Sequence, residues 1–107
     1  MNAPKLAMID LAPQHLSTVK AVIDAMLPDV PVFAFGSRVK GLAKKHSDLD
    51  LALQPEQPLH WLALARLREA FEESDLPIRV DVVDWSACSP EFKRLAGPLI
   101  ALDATGA

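Results

Sequence analysis

Cys88 is the only cysteine among the 107 residues, so the chain can close no internal disulfide and can assemble no zinc site from thiolates. A small apolar role, half-buried or buried, is the expectation for it. Long apolar runs are missing too: nothing approaches the roughly 18 residues that span a bilayer, and Met1 to Leu11 hold no extended apolar stretch. A cytoplasmic protein with no membrane association is expected. Basic charge is also short, with a net charge of -3 and a pI near 5.5, which argues against direct nucleic-acid binding and its basic footprint. Repeats, linkers and low-complexity segments are absent. What remains is half hydrophobic and 23% charged, the composition of a globular protein. The length suits one domain over residues 1–107, with a single core and no separate substrate domain.

Prolines punctuate the chain. Pro13 suits the first turn of a helix carrying Leu16, Val19, Ile23 and Met26 at helical spacing, ended by Pro28 and Pro31. A strand over Val32–Phe35 follows, then a short helix from Ser37 to about Ala43 and a strand reaching Leu53. Pro58 suits the start of a second long helix through about Glu73, with Leu64, Leu67 and Phe71 on its inner stripe. Pro77 precedes a third strand, and Ser89-Pro90-Glu91 caps a last helix over about 90–96, stopped by Gly97-Pro98. The reading is α/β (α+β), a small mixed sheet flanked by helices.

The chemistry concentrates where an apolar strand enters Gly36-Ser37 and, ten residues later, Asp48-Leu49-Asp50 begins the next strand. Gly36 allows a sharp turn and a close ligand approach. Ser37 opens a helix whose first N–H groups and hydroxyl suit phosphate oxygens. Asp48 and Asp50, two apart on a strand, share one face, and Leu49, Leu51 and Leu53 share the other. Two carboxylates held side by side repel unless a divalent cation sits between them, and Mg²⁺ takes this kind of oxygen set together with substrate phosphates. A two-metal site asks for a further acid. In Ile78–Asp84, period two puts Arg79, Asp81 and Val83 on one face and Asp84 on the other. Asp81 is the choice, because Asp84, at the strand's end, suits a solvated or capping role in which Asp84→Asn should be mild.

Arg38, Lys40, Lys44 and Lys45 cluster between the Gly-Ser turn and the Asp pair, where Arg38 or a lysine can meet phosphate. His15, His46 and His60 show no metal spacing; His15 and His60 read as surface or helix-face residues and His46 as a solvated loop residue. Trp61 reads as core edge, with a partner contact as the alternative, and Trp85 as a packing residue that could border a nucleotide.

Gly-Ser, ten residues, Asp-x-Asp and a later strand aspartate together resemble the polymerase beta-like nucleotidyltransferase superfamily. The wording Gly36-Ser37-Arg38, Gly41 and Ser47-Asp48-Leu49-Asp50-Leu51 is similar to its minimal nucleotidyltransferase (MNT) branch, over about residues 13–95. Val39-Lys40 stands where the family more often has alanine and arginine, and Lys40 keeps the charge. The resemblance implies the polymerase beta-like fold and ATP with Mg²⁺ as donor. It also implies metal ligation and catalysis by Asp48, Asp50 and Asp81, and donor binding by Gly36, Ser37 and Arg38. The helical C-terminal domain of larger relatives is not found, so the acceptor is expected on a macromolecule. Small members of the branch act as antitoxins that add AMP to a tyrosine of a HEPN-domain ribonuclease toxin, and that is the activity and partner the resemblance implies. The alternative is a catalytically weak subunit that neutralises by binding alone. Trp61 or Leu99-Ile100-Ala101-Leu102 could dock a partner, pack into this chain's own core or form a homo-oligomer.

Overall fold

The computed structural model describes residues 8–102. The elements run α1 (Pro13–Met26), β1 (Val32–Phe35), α2 (Ser37–Lys40), β2 (Leu49–Leu53), α3 (Trp61–Glu72), β3 (Val80–Asp84), α4 (Pro90–Ala96) and β4 (Ile100–Ala101), with a 3-10 turn over Trp85–Ala87 between β3 and α4. The sheet has the order β3-β2-β1-β4. β1 is antiparallel to both β2 and β4, and β2 is parallel to β3 across the α3 crossover. This is the mixed α/β architecture expected.

Alternation along the strands sorts the sheet into two unlike faces. One carries Val32 and Ala34, Leu49, Leu51 and Leu53, and Val80 and Val82, in register across the strands. Together with Leu16, Val19 and Ile23 of α1 and Leu67 and Phe71 of α3 they form the main core. The three leucines of β2 are fully buried, and each contributes on the order of 1.5–3 kcal/mol. Like charges directly opposite on a sheet cost roughly 0.2–1 kcal/mol per pair. Burial therefore wins, and β2 can carry acids on its other face. That second face is only half covered: Phe35, Ala52, Val83, Trp85 and Leu99 pack with Ala96 of α4, and Phe35, Trp85 and Phe92 meet ring to ring at 5.9–6.2 Å. Its other end is left open.

Two helix boundaries and one added strand differ from expectation. α2 stops at Lys40 rather than Ala43 because Gly41 takes the left-handed conformation (φ 76°). α3 begins at Trp61, not Pro58. The Leu59 N–H is held by the Asp84 carboxylate at 2.9 Å, and extended His60 caps the helix by accepting from the Leu62 N–H. Trp61 is therefore on the helix's first turn and 71% exposed, not at the core edge. Finally, Ile100–Ala101 forms β4, with Ile100 and Leu102 buried, so this segment serves the chain's own core and is no docking surface. Two residues are too few for a period-two signal.

Candidate active site

The turn after β1 depends on Gly36, whose backbone (φ 82°, ψ -153°) lies in a region essentially reserved for glycine and costing other residues about 1–3 kcal/mol. A Cβ there would also run into Oδ2 of Asp50. The missing side chain thus keeps space on the Asp50 carboxylate. Ser37 starts α2 immediately, with the Val39 and Lys40 N–H groups donating to the Gly36 carbonyl, so the amides that a short helix leaves unpaired at its start face the same end of the sheet.

Register brings two of the predicted acids side by side. Asp50 is aligned with Phe35 of β1 and with Asp81 of β3, and adjacent strands run about 4.8 Å apart. Asp48 lies just before β2, and its Oδ2 accepts from Nη2 of Arg79 at 3.0 Å. Burial, then the Asp81 and Asp48 carboxylates, raise the Asp50 pKa above its ordinary 3.8, with Arg79 opposing. Among the described residues no three acidic, histidine or cysteine side chains close into a finished metal cage. The donor set nevertheless fits a hard divalent cation: oxygen ligands only, mutually repelling, with the space that Gly36 leaves beside one of them. Asp48, Asp50 and Asp81 are the residues that could hold it.

The remaining candidates fall into place around this end. Arg38 is only 6% exposed and spends its guanidinium on the backbone. Nε donates to Ser47 O (3.0 Å), Nη1 to Asp10 O (2.6 Å), and Nη2 to Lys44 O and Lys45 O (3.3 and 3.2 Å). The donors read from the sequence as phosphate ligands hold the loop that delivers Asp48. Lys40 donates to Leu95 O at 3.3 Å, tying α2 to α4, while Lys44, Lys45 and His46 are exposed. Asp84 is buried on the core face and accepts from the Leu59 N–H, the Ser86 N–H and the Ser86 hydroxyl, so it caps but is not solvated. Half-buried Cys88 leans on Asp84 O, and burial pushes its thiol pKa up. Arg79 had no assigned role in the sequence reading. The one signal for it was its place on the Asp81 face.

Sequence and fold both match known proteins. The family described as Polymerase beta, Nucleotidyltransferase matches residues 30–96, from just before β1 to the end of α4. A "Probable protein adenylyltransferase MntA" of Haemophilus influenzae is 53% identical over 89 residues, covering 83% of this chain and 78% of that protein. In solved structures, the toxin-antitoxin with AMP-PNP superposes with a TM-score of 0.67 at 22% identity, over 91% of this chain and 75% of the other. A mutant toxin-antitoxin MntA-HpeT gives 0.66 at 20% identity, over 86% and 73%. At those identities the structures speak for the fold, and the family match and the near relative carry the assignment: the chain belongs to the polymerase beta nucleotidyltransferases.

Proposed function

We propose that this chain is an Mg²⁺-dependent protein adenylyltransferase that moves AMP from ATP to a hydroxyl of a partner protein, acting in the cytoplasm as a one-domain antitoxin toward a HEPN-domain ribonuclease toxin. The observation that carries the reading is the alignment of Asp50 with Asp81, beside Asp48 and under the gap left by Gly36. The MntA relative and the AMP-PNP-containing neighbour support an adenine nucleotide as donor. In the reaction the partner's hydroxyl oxygen bonds to the α-phosphorus, the bond to pyrophosphate breaks, and the hydroxyl proton passes to the Asp81 carboxylate. Asp48 and Asp50 would hold Mg²⁺, which would supply neutralisation of the charge that builds up during transfer. Gly36 and the amides at the start of α2 orient the donor phosphates. Arg38 contributes by fixing the loop before Asp48.

A second reading, neutralisation by binding alone, draws on one observation: the Asp48 carboxylate is engaged by Arg79. Intact-mass spectrometry of the toxin separates the two, after co-expression with wild type or with Asp48→Asn. Wild type should leave the toxin heavier by whole AMP units and Asp48→Asn should leave it unmodified. A toxin neutralised equally by both and never modified would establish the binding reading instead.

A further inference from the structure

Among the described residues β3 ends the sheet, and its outer edge lies beside the open, acid-bearing face. The Leu49 N–H donates to the Arg79 carbonyl at 3.0 Å. Alternation then turns the backbone groups of Arg79, Asp81 and Val83 toward β2, and those of Val80 and Val82 outward. Arg68 of α3 already occupies the outward carbonyl of Val82 at 2.9 Å, which blunts that part of the edge. Val80 is left facing out. A cavity of about 360 Å³ sits at this point, between the C-terminal half of α3 and the edge, lined by the apolar Phe71, Leu76, Ile78 and Val80 and by the charged Arg68, Glu72, Arg79 and Asp81. Its volume falls in the range of about 300–1,000 Å³ that binding pockets occupy.

We propose that the acceptor is presented as an extended segment of the partner protein that adds as a short strand to the β3 edge at Val80. One of its side chains enters the cavity, and the hydroxyl-bearing neighbour lies over Asp81. Successive side chains of a strand point to opposite faces, so a segment paired here puts an apolar residue toward Phe71 and Ile78 and the adjacent residue on the face of Asp50 and Asp81. The strand's main-chain bonds supply affinity and the cavity supplies selectivity, while Arg68 on Val82 stops the pairing and sets its register. The proposal rests on the transfer reading above and adds how the acceptor is held.

Amide hydrogen exchange of the wild-type chain, alone and with the HEPN-domain toxin plus Mg²⁺ and AMP-PNP, tests the geometry. The Val80 N–H should slow by tenfold or more on complex formation, whereas the amides of Asp81 and Val83, already in the ladder with β2, should change little. Ile78→Arg, which fills the cavity, should cut AMP transfer to the toxin at least tenfold and retain the wild-type melting shift with Mg-ATP. An unprotected Val80 amide in the complex, or full transfer by folded Ile78→Arg, overturns the proposal. So does Val80 protection that rises with this chain's own concentration and no toxin, since that would be self-pairing. If wild type shows no melting shift with Mg-ATP, the transfer reading falls first and this proposal with it.

Discussion

Asp50 pulls stability and chemistry in opposite directions. Burial, then Asp81 and Asp48, raise its carboxyl above the ordinary 3.8, so the fold favours the protonated form. The favourable contribution is complete below the unfolded value and is lost as pH rises through the raised folded value. At neutral pH without metal the ionised group therefore burdens the fold. Asp50→Asn should melt no lower than wild type in a metal-free scan at pH 7 and lose about a hundredfold or more in transfer; a clearly lower melting temperature would mean that Asp50 is structural. Asp84 has the reverse sign. Burial works against its ionisation, but the Ser86 hydroxyl and the Leu59 and Ser86 N–H groups outweigh it and hold the pKa below 3.8. Its contribution is present above the unfolded value and lost as pH falls through the lowered one. Asparagine keeps one acceptor oxygen and sets an NH₂ among donors, so Asp84→Asn should cost about 1–3 kcal/mol in denaturant unfolding at pH 7. Transfer by the folded fraction should hold, and the stability gap from wild type should close below about pH 4. The mild effect expected from sequence thus becomes a stability effect, because the group is buried.

Between α2 and β2 the chain makes no regular structure, and Arg38 supplies the order. Its bonds to the carbonyls of Ser47, Lys44, Lys45 and Asp10 join the loop to the segment before α1. Lysine, a point charge without the guanidinium fork, cannot satisfy that set. Arg38→Lys should lower stability by about 2–3 kcal/mol and reduce kcat as Asp48 loosens. Had Arg38 served as a phosphate ligand, the same change would raise the KM for ATP and leave the denaturation midpoint in place, so the two measurements distinguish the roles. The contrast shows what was legible in sequence. The turn at Gly36 and the turning of Asp50 and Asp81 away from the leucine core were readable because the turn, the period of two and the leucine alternation are local. The alignment of Asp50 with Asp81 was not, since it needs the crossover register of β2 and β3. Arg38 misled because its partners are backbone carbonyls as far off as Asp10, which leave no side-chain signature. Trp61 misled because Asp84, 25 residues away from Leu59, decides where α3 starts.

At the scale of the molecule, the two long helices among the described residues, α1 and α3, are on one side. α1 and α3 cover the leucine face, while α4 covers only part of the other, against Phe35 and Ala52. The uncovered end gathers Asp48, Asp50 and Asp81 in a chain whose net charge is already -3, and its nearest counter-charge is the exposed pairing of Arg79 with Asp48, worth about 1 kcal/mol or less. Such a surface repels ATP on its own and attracts a divalent cation. Cation and nucleotide should therefore stabilise the fold far more together than the sum of either alone. Ligand that binds only the folded chain adds RT ln(1 + [L]/Kd), about 2.7 kcal/mol at a hundredfold excess over Kd, and for a domain of this size each kcal/mol raises the melting temperature by roughly 4–8 °C. Melting scans with Mg²⁺, with ATP plus chelator, and with Mg-ATP should show a large shift only for the last. The cooperative part of that shift should vanish in Asp50→Asn. A shift of equal size with ATP and chelator would place the nucleotide away from the three carboxylates and remove the metal-bridged site.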